Sequence, residues 1–291
     1  MDCVTRFQSQ KKINEGELIM KKFFAVIALM SLIISPCSAS QEDRAYFPAV
    51  LMYHDLKVKP LNEFDTTPED FASQLDWLKD NGYITLSLEE FITCTKKGSG
   101  FPEKSVLITF DDGYAGIYDY AFPELKKRGM KAAFFIVAFT VGSVKGTYPH
   151  ITYSQLAEMA ADGNMSIGAH TVSHSRLTEL SPDALKIEVS KSKQILENFT
   201  GRKIRAVAYP EGYYNNEVID AVKEAGYEIA FAVNDRGLCG HEARYSIPRI
   251  YTGLRLAEND NALFKNFVKR YKEMPTEGFK ERWKPIDNAA N

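Results

Sequence analysis

The chain has 291 residues and a formal net charge of −2, from 38 acidic and 36 basic side chains. Apolar residues make up 45% and charged residues 25%, ordinary globular usage that excludes a disordered, collagen-like or disulfide-dense chain. The even charge balance also speaks against a nucleic-acid binder, which needs a basic excess or stripe.

The first elements read as a leader. Lys21 and Lys22 precede an uncharged, mostly apolar run over residues 23–34, and Ser38-Ala39-Ser40 closes it. A basic start, a short apolar stretch and a small-residue exit make a secretory signal. The run falls short of the ~20 residues of a comfortable membrane span, and an uncleaved anchor is the alternative. Met20 offers a second start, and Pro36 before Cys37 fits lipoprotein processing poorly. Residues 1–40 are therefore expected as leader and residues 41–291 as one exported domain, secreted or at the cell envelope. That domain keeps Cys94 and Cys239, and export permits a disulfide between them.

Beyond the leader, strands and helices alternate. Residues 49–53 read as a buried strand. Thr67-Pro68 opens a helix, with Thr67 as cap, Pro68 in the first turn and Asp70 at the capping-box position. Phe71, Leu75 and Leu78 give it one apolar face, and Asn81-Gly82 ends it. Residues 106–110 are strand-like, 114–128 helical with a kink or break at Pro123, and 132–138 strand-like again. Thr152 and Gln155 form a capping box before Leu156 and Met159. A brief strand at 166–168 leads to a helix from Ser181-Pro182 with Leu185, Val189, Leu196 and Phe199 on one face. A strand at 204–208, a helix at 218–225 closed by Gly226, a strand at 228–233 and a helix at 259–274 complete the pattern. Such alternation implies an α/β fold with parallel strands and outer helices, in a barrel or an open doubly wound sheet. No internal repeat, low-complexity tract or linker interrupts it.

The chemistry sits at strand ends, where parallel sheets build their sites. Thr109-Phe110-Asp111-Asp112-Gly113 runs a strand into two carboxylates and a glycine, which suits one carboxylate for a metal and one for the substrate side; alone it also suits a capping turn. His170 and His174 stand four apart, the spacing at which imidazoles on one helical turn share an ion. With Asp112 they offer two nitrogens and one oxygen, and three protein ligands leave a position for water, as in catalytic sites. Zinc is the default for such ligands, and cobalt, nickel and iron also fit. His54, after the first strand, is a candidate proton donor or acceptor that Asp55 could orient. Tyr209-Pro210-Glu211-Gly212 is a stiff turn whose backbone N–H groups could face an oxyanion, or an ordinary loop. Arg249, between apolar residues, needs a carboxylate partner, and Asp111 would serve and be held ionised as a base.

In order and spacing, Thr109 to Gly113, His170 to His174 and Tyr209 to Gly212 together resemble the polysaccharide deacetylase family, the NodB-homology carbohydrate esterases, over roughly residues 48–250. Tyr53-His54-Asp55 near the N-terminus resembles the subgroup acting on poly-N-acetylglucosamine of biofilms. The resemblance implies a distorted (β/α) barrel of about seven parallel strands and a metal-dependent N-deacetylase. It implies Asp112, His170 and His174 as metal ligands, Asp111 as general base and His54 as general acid. Two departures stand out: Ala208 occupies the place of a frequent arginine, so Arg249 is expected to brace Asp111, and Glu211 replaces a frequent aromatic.

The expected partner is an N-acetylated glycan, with no nucleic acid or nucleotide, a monomeric chain, and membrane contact only through an uncleaved leader. Rival readings are an O-acetyl esterase, a non-catalytic glycan-binding module on the same fold, and a magnesium phosphatase, which the paired histidines fit poorly. His150 and His241 have no assigned role.

Overall fold

The computed structural model describes residues 47–97, 100–233 and 244–252, together with Phe264, Lys265 and Val268. The leader, Cys239 and with it the permitted bridge to Cys94, His241 and most of residues 259–274 lie outside the described residues. Phe264, Lys265 and Val268 are helical, and Phe264 is buried against Trp77 at 5.9 Å between ring centroids.

Eight strands are described: β1 (Ala49–Tyr53), β2 (Ile84–Thr85), β3 (Ser105–Phe110), β4 (Ala132–Ile136), β5 (Met165–Ala169), β6 (Ala206–Ala208), β7 (Ile229–Phe231) and β8 (Ile250–Tyr251). Every described strand pairing is parallel, in the order β7-β6-β5-β4-β3-β1-β8, with the two-residue β2 beside β3. The segment before β8 closes the sheet. Ala232 N–H donates to Ile247 O at 2.8 Å, and Ile247 N–H donates to Ala230 O at 3.0 Å, while β8 pairs with β1. The segment that carries β8, beside β1 at one end of the order, therefore also bonds β7 at the other end and makes the expected distorted barrel.

Strand periodicity sorts the core into two sets. Val50, Leu107, Ala133, Phe135, Ala206, Ala208 and Phe231 fill the inside, joined at the strand N-terminal ends by Phe47, Phe91 and Phe101. Leu51, Tyr53, Ile108, Phe110 and Phe134 pack outward against the helices. Small residues make room for large ones inside. At Gly168, a Cβ would lie 2.5 Å from the Phe135 ring, so only glycine lets that ring fill the barrel.

The helices are α1 (Pro68–Asp80), α2 (Leu88–Lys97), α3 (Phe122–Arg128), α4 (Tyr153–Ala161), α5 (Pro182–Thr200) and α6 (Asn216–Glu224). Their caps follow the sequence. Thr67 accepts from Asp70 N–H at 3.0 Å, Thr152 and Gln155 form a full capping box, and Ser181 caps α5.

Three expectations need correction. Residues 114–128 are not one α-helix with a kink. A π turn over Ile117–Ala121 precedes α3, with Phe122 N–H donating to Ile117 O, because Pro123 lacks the N–H that would continue a regular ladder. Phe199 is not part of the buried face of α5. It is 47% exposed and stacks on Tyr153 at 4.4 Å. A helix of 19 residues is ~28 Å long and outruns five-residue strands of ~17 Å, so its last turn has no core beneath it. The third is an omission, β2 and α2. Ser87 and Glu90 cap α2 reciprocally at 3.1 and 2.8 Å, a signal present in the sequence.

Candidate active site

Strand C-terminal ends deliver the chemistry to one place. His54 follows β1, Asp111 and Asp112 follow β3, His170 and His174 follow β5, Tyr209 and Glu211 follow β6, and Arg249 precedes β8. All of these line one cavity of about 680 Å³.

The backbone there is unusual. Five non-glycine residues have positive φ among the described residues, and four border this site: Asp112 (69°), Thr171 (66°), His174 (62°) and Glu211 (54°). Left-handed backbone disfavours residues with a Cβ, and such conformations concentrate where function requires them. His170 and His174 therefore do not share a helical turn, as their spacing suggests. They are brought together by a loop with two left-handed residues. Glu188 of α5 pins that loop by accepting from Val172 N–H at 2.9 Å and Ser173 N–H at 3.0 Å, and Thr171 Oγ1 accepts from His174 N–H at 3.0 Å.

Asp112, His170 and His174 each offer a ligand atom, all within 4.8 Å of one another. His170 Nδ1 lies 2.8 Å from Ala208 O, so Nδ1 carries the hydrogen and Nε2 presents its lone pair. Burial pushes the His170 pKa below its ordinary value, against the pull of Asp111 and Asp112, which favours the neutral ligating form. Asp112 Oδ1 lies 3.5 and 3.4 Å from the two Nε2 atoms and, among the described residues, is buried without a hydrogen-bond donor. An orphaned carboxylate oxygen beside two imidazole lone pairs fits a divalent cation.

Asp111 continues β3, its N–H donating to Tyr53 O at 2.9 Å, and its side chain is 3% exposed. Arg249 grips it with two bonds, Nη1 to Oδ1 and Nη2 to Oδ2, each 2.7 Å. Burial would raise its pKa, but the Arg249 charge, His170 and these bonds together hold it down at about 2. Arg249 also donates to Ala232 O at 3.3 Å and lies over the Phe135 ring.

Among the described residues the buried His54 Nδ1 has no hydrogen-bond partner, and its ring meets Phe64 at 5.3 Å and Tyr251 at 6.2 Å. Asp55 does not orient it. Its carboxylate turns away to Lys57 at 2.9 Å and lines a separate, smaller hollow. Tyr209 is fully buried, donates to Tyr245 O at 2.9 Å and stacks on Tyr214. Pro210 is buried in the turn that carries Glu211.

The sequence reading passed over several cavity residues. Tyr114 follows the aspartate pair, and burial and the Asp112 charge push its phenol pKa up. Tyr148 accepts from Asn62 Nδ2 at 2.5 Å, with Lys57 over its ring. Phe64 and Tyr251 flank His54. Tyr114 and Tyr251 stand two positions after Asp112 and Arg249, a signal of position alone, while Phe64 and Tyr148 are far from every motif and carry none. His150 backs the site, its ring 4.9 Å from that of Tyr114.

The sequence model of the family described as polysaccharide deacetylase matches residues 98–230. The chain is 32% identical over 244 residues to a poly-beta-1,6-N-acetyl-D-glucosamine N-deacetylase of Staphylococcus epidermidis, covering 76% of this chain and 82% of that protein. The solved structure of the Streptococcus pyogenes deacetylase PplD in complex with acetate superposes with a TM-score of 0.67 and 28% identity, covering 76% of this chain and 98% of the other. That of IcaB from Ammonifex degensii shares the fold, with a TM-score of 0.66 and 22% identity over 79% of this chain and 99% of the other.

Proposed function

The chain belongs to the polysaccharide deacetylase family, and from that membership we infer a metal-dependent hydrolase that removes N-acetyl groups from an N-acetylglucosamine polysaccharide and releases acetate. The substrate we propose is a poly-β-1,6-linked glycan of the kind named for its relative. The observation that carries the reading is the pairing of a buried, arginine-held carboxylate with an adjacent Asp-His-His ligand set in one cavity.

Asp112, His170 and His174 would hold the ion, and two nitrogens with one oxygen favour zinc. When bound, a divalent ion supplies Lewis-acid polarisation of the acetyl carbonyl and makes water acidic enough to attack near neutral pH. Asp111 accepts the water proton. Held at about 2, it is always ionised near neutral pH, so the site gains a fixed, oriented acceptor rather than a strong base. Arg249 fixes its orientation through both oxygens. His54 protonates the departing amine, which cannot leave as an anion. Phe64 and Tyr251 narrow the space around that imidazole. The leader-like N-terminus supports export, to the medium or the envelope, where such a polymer is found.

The test is acetate release from N-acetylglucosamine oligomers by metal-loaded and by chelator-treated chain. Metal-dependent acetate is the expected result. A protein that binds metal and releases none overturns the reading.

A further inference from the structure

The turn after β6 is closed by two backbone bonds, Gly212 N–H to Tyr209 O at 2.9 Å and Tyr213 N–H to Pro210 O at 3.2 Å, yet it contains a backbone that glutamate disfavours. Glu211 and Gly212 have φ of 54° and 75°, two left-handed residues in succession. Gly212 is fixed by space, since a Cβ there would lie 2.7 Å from Val233 N. Glutamate has no such reason, because asparagine, aspartate and glycine are the residues that adopt this backbone readily. Its side chain supplies one. Glu211 Oε2 accepts from Arg176 Nε at 2.7 Å, and the guanidinium lies over the Tyr213 ring, 5.1 Å from its centroid. Arg176 follows His174 by two residues and also reaches Glu179 at 3.3 Å. An aromatic side chain at position 211, frequent in the family, could not make this contact.

The pair is 46% and 42% exposed, where ion pairs add little stability, so its effect is geometric. The Glu211 N–H meanwhile has no acceptor among the described residues, and Glu211 lines the cavity. We propose that Arg176 and Glu211 are positioning residues. Their ion pair locks the turn after β6 to the loop bearing His174, and so fixes where the turn's backbone N–H groups, already offered to an oxyanion by the sequence, stand relative to the metal ligands. This rests on the deacetylase reading above.

The test compares full-length wild type with Arg176→Ala, Glu211→Ala, the double variant and Glu211→Gln. Acetate release, metal content and thermal unfolding are measured on each. Each alanine lowers kcat by about 3- to 5-fold, because an exposed pair biases the turn by no more than its own small coupling, far below the ~100-fold loss of a deleted oxyanion donor. KM, metal content and Tm stay near wild type. The double variant falls no further than the worse single, because the two side chains act as one unit. Glu211→Gln keeps an acceptor for Arg176 and recovers most of kcat. Unchanged kcat in an active protein overturns the proposal. So do losses that multiply in the double variant, or losses that track metal content or Tm. A wild type that binds metal and releases no acetate defeats the deacetylase reading, and this inference with it.

Discussion

Two arginine–carboxylate pairs border the cavity in opposite surroundings. Arg249 and Asp111 are 0% and 3% exposed and meet through two parallel bonds. Arg176 and Glu211 stand at the rim, nearly half exposed. The chemistry is the same and the energetics are not. Inside, neither partner can be removed without stranding a charge in the barrel, so the pair fixes a protonation state. At the rim, water takes over for a lost partner, and only the geometry of the turn is at stake.

The sharpest way to break this contrast is Asp111→Asn. With the proton acceptor gone, turnover falls by about 100-fold to 10,000-fold, the usual span for a general base, while metal content is retained. Acetate release and metal analysis on the same sample decide it, and retained turnover refutes Asp111 as base. Next is a matched pair of stability measurements. Arg249→Met leaves Asp111 uncompensated and costs about 3–5 kcal/mol in denaturant unfolding. Arg176→Met leaves the unfolding curve close to that of wild type. Equal losses would erase the distinction between floor and rim.

The smallest effect is in acid. Asp111 is held at about 2, below the ~3.9 of an ordinary aspartate. Its ionised form therefore stabilises the fold fully above pH ~4, and that contribution fades as pH falls toward 2. In metal-free protein, wild-type stability drops more steeply across this window than that of Asp111→Asn, which has no proton to take up there. Parallel curves would show that Asp111 carries no such linkage.

Much of this was legible in the sequence, for local reasons. The caps at Thr67, Thr152 and Ser181 are written in adjacent residues, and so are the strand-end motifs. The contact between Arg249 and Asp111 was legible too, because a charge between apolar neighbours must find its opposite. What was not legible depended on the third dimension. The approach of His170 to His174 comes from left-handed backbone and Glu188, not from helical spacing. Phe199 obeys the helical period and is still exposed, because the strands beneath α5 are shorter than the helix. Asp55 lies beside His54 in sequence and turns to Lys57 in space. The Ser87–Glu90 cap of α2 was readable and was passed over.

The segment that closes the barrel also bears on when the protein becomes competent. Arg249 stands 138 positions after Asp111. A chain synthesised N-terminus first exposes both aspartates and both histidines before that arginine emerges. Until it arrives, Asp111 has no guanidinium and β7 has no link to β1. Assembly of the last strand and arming of the site are one event, so a partly folded chain is an inactive one.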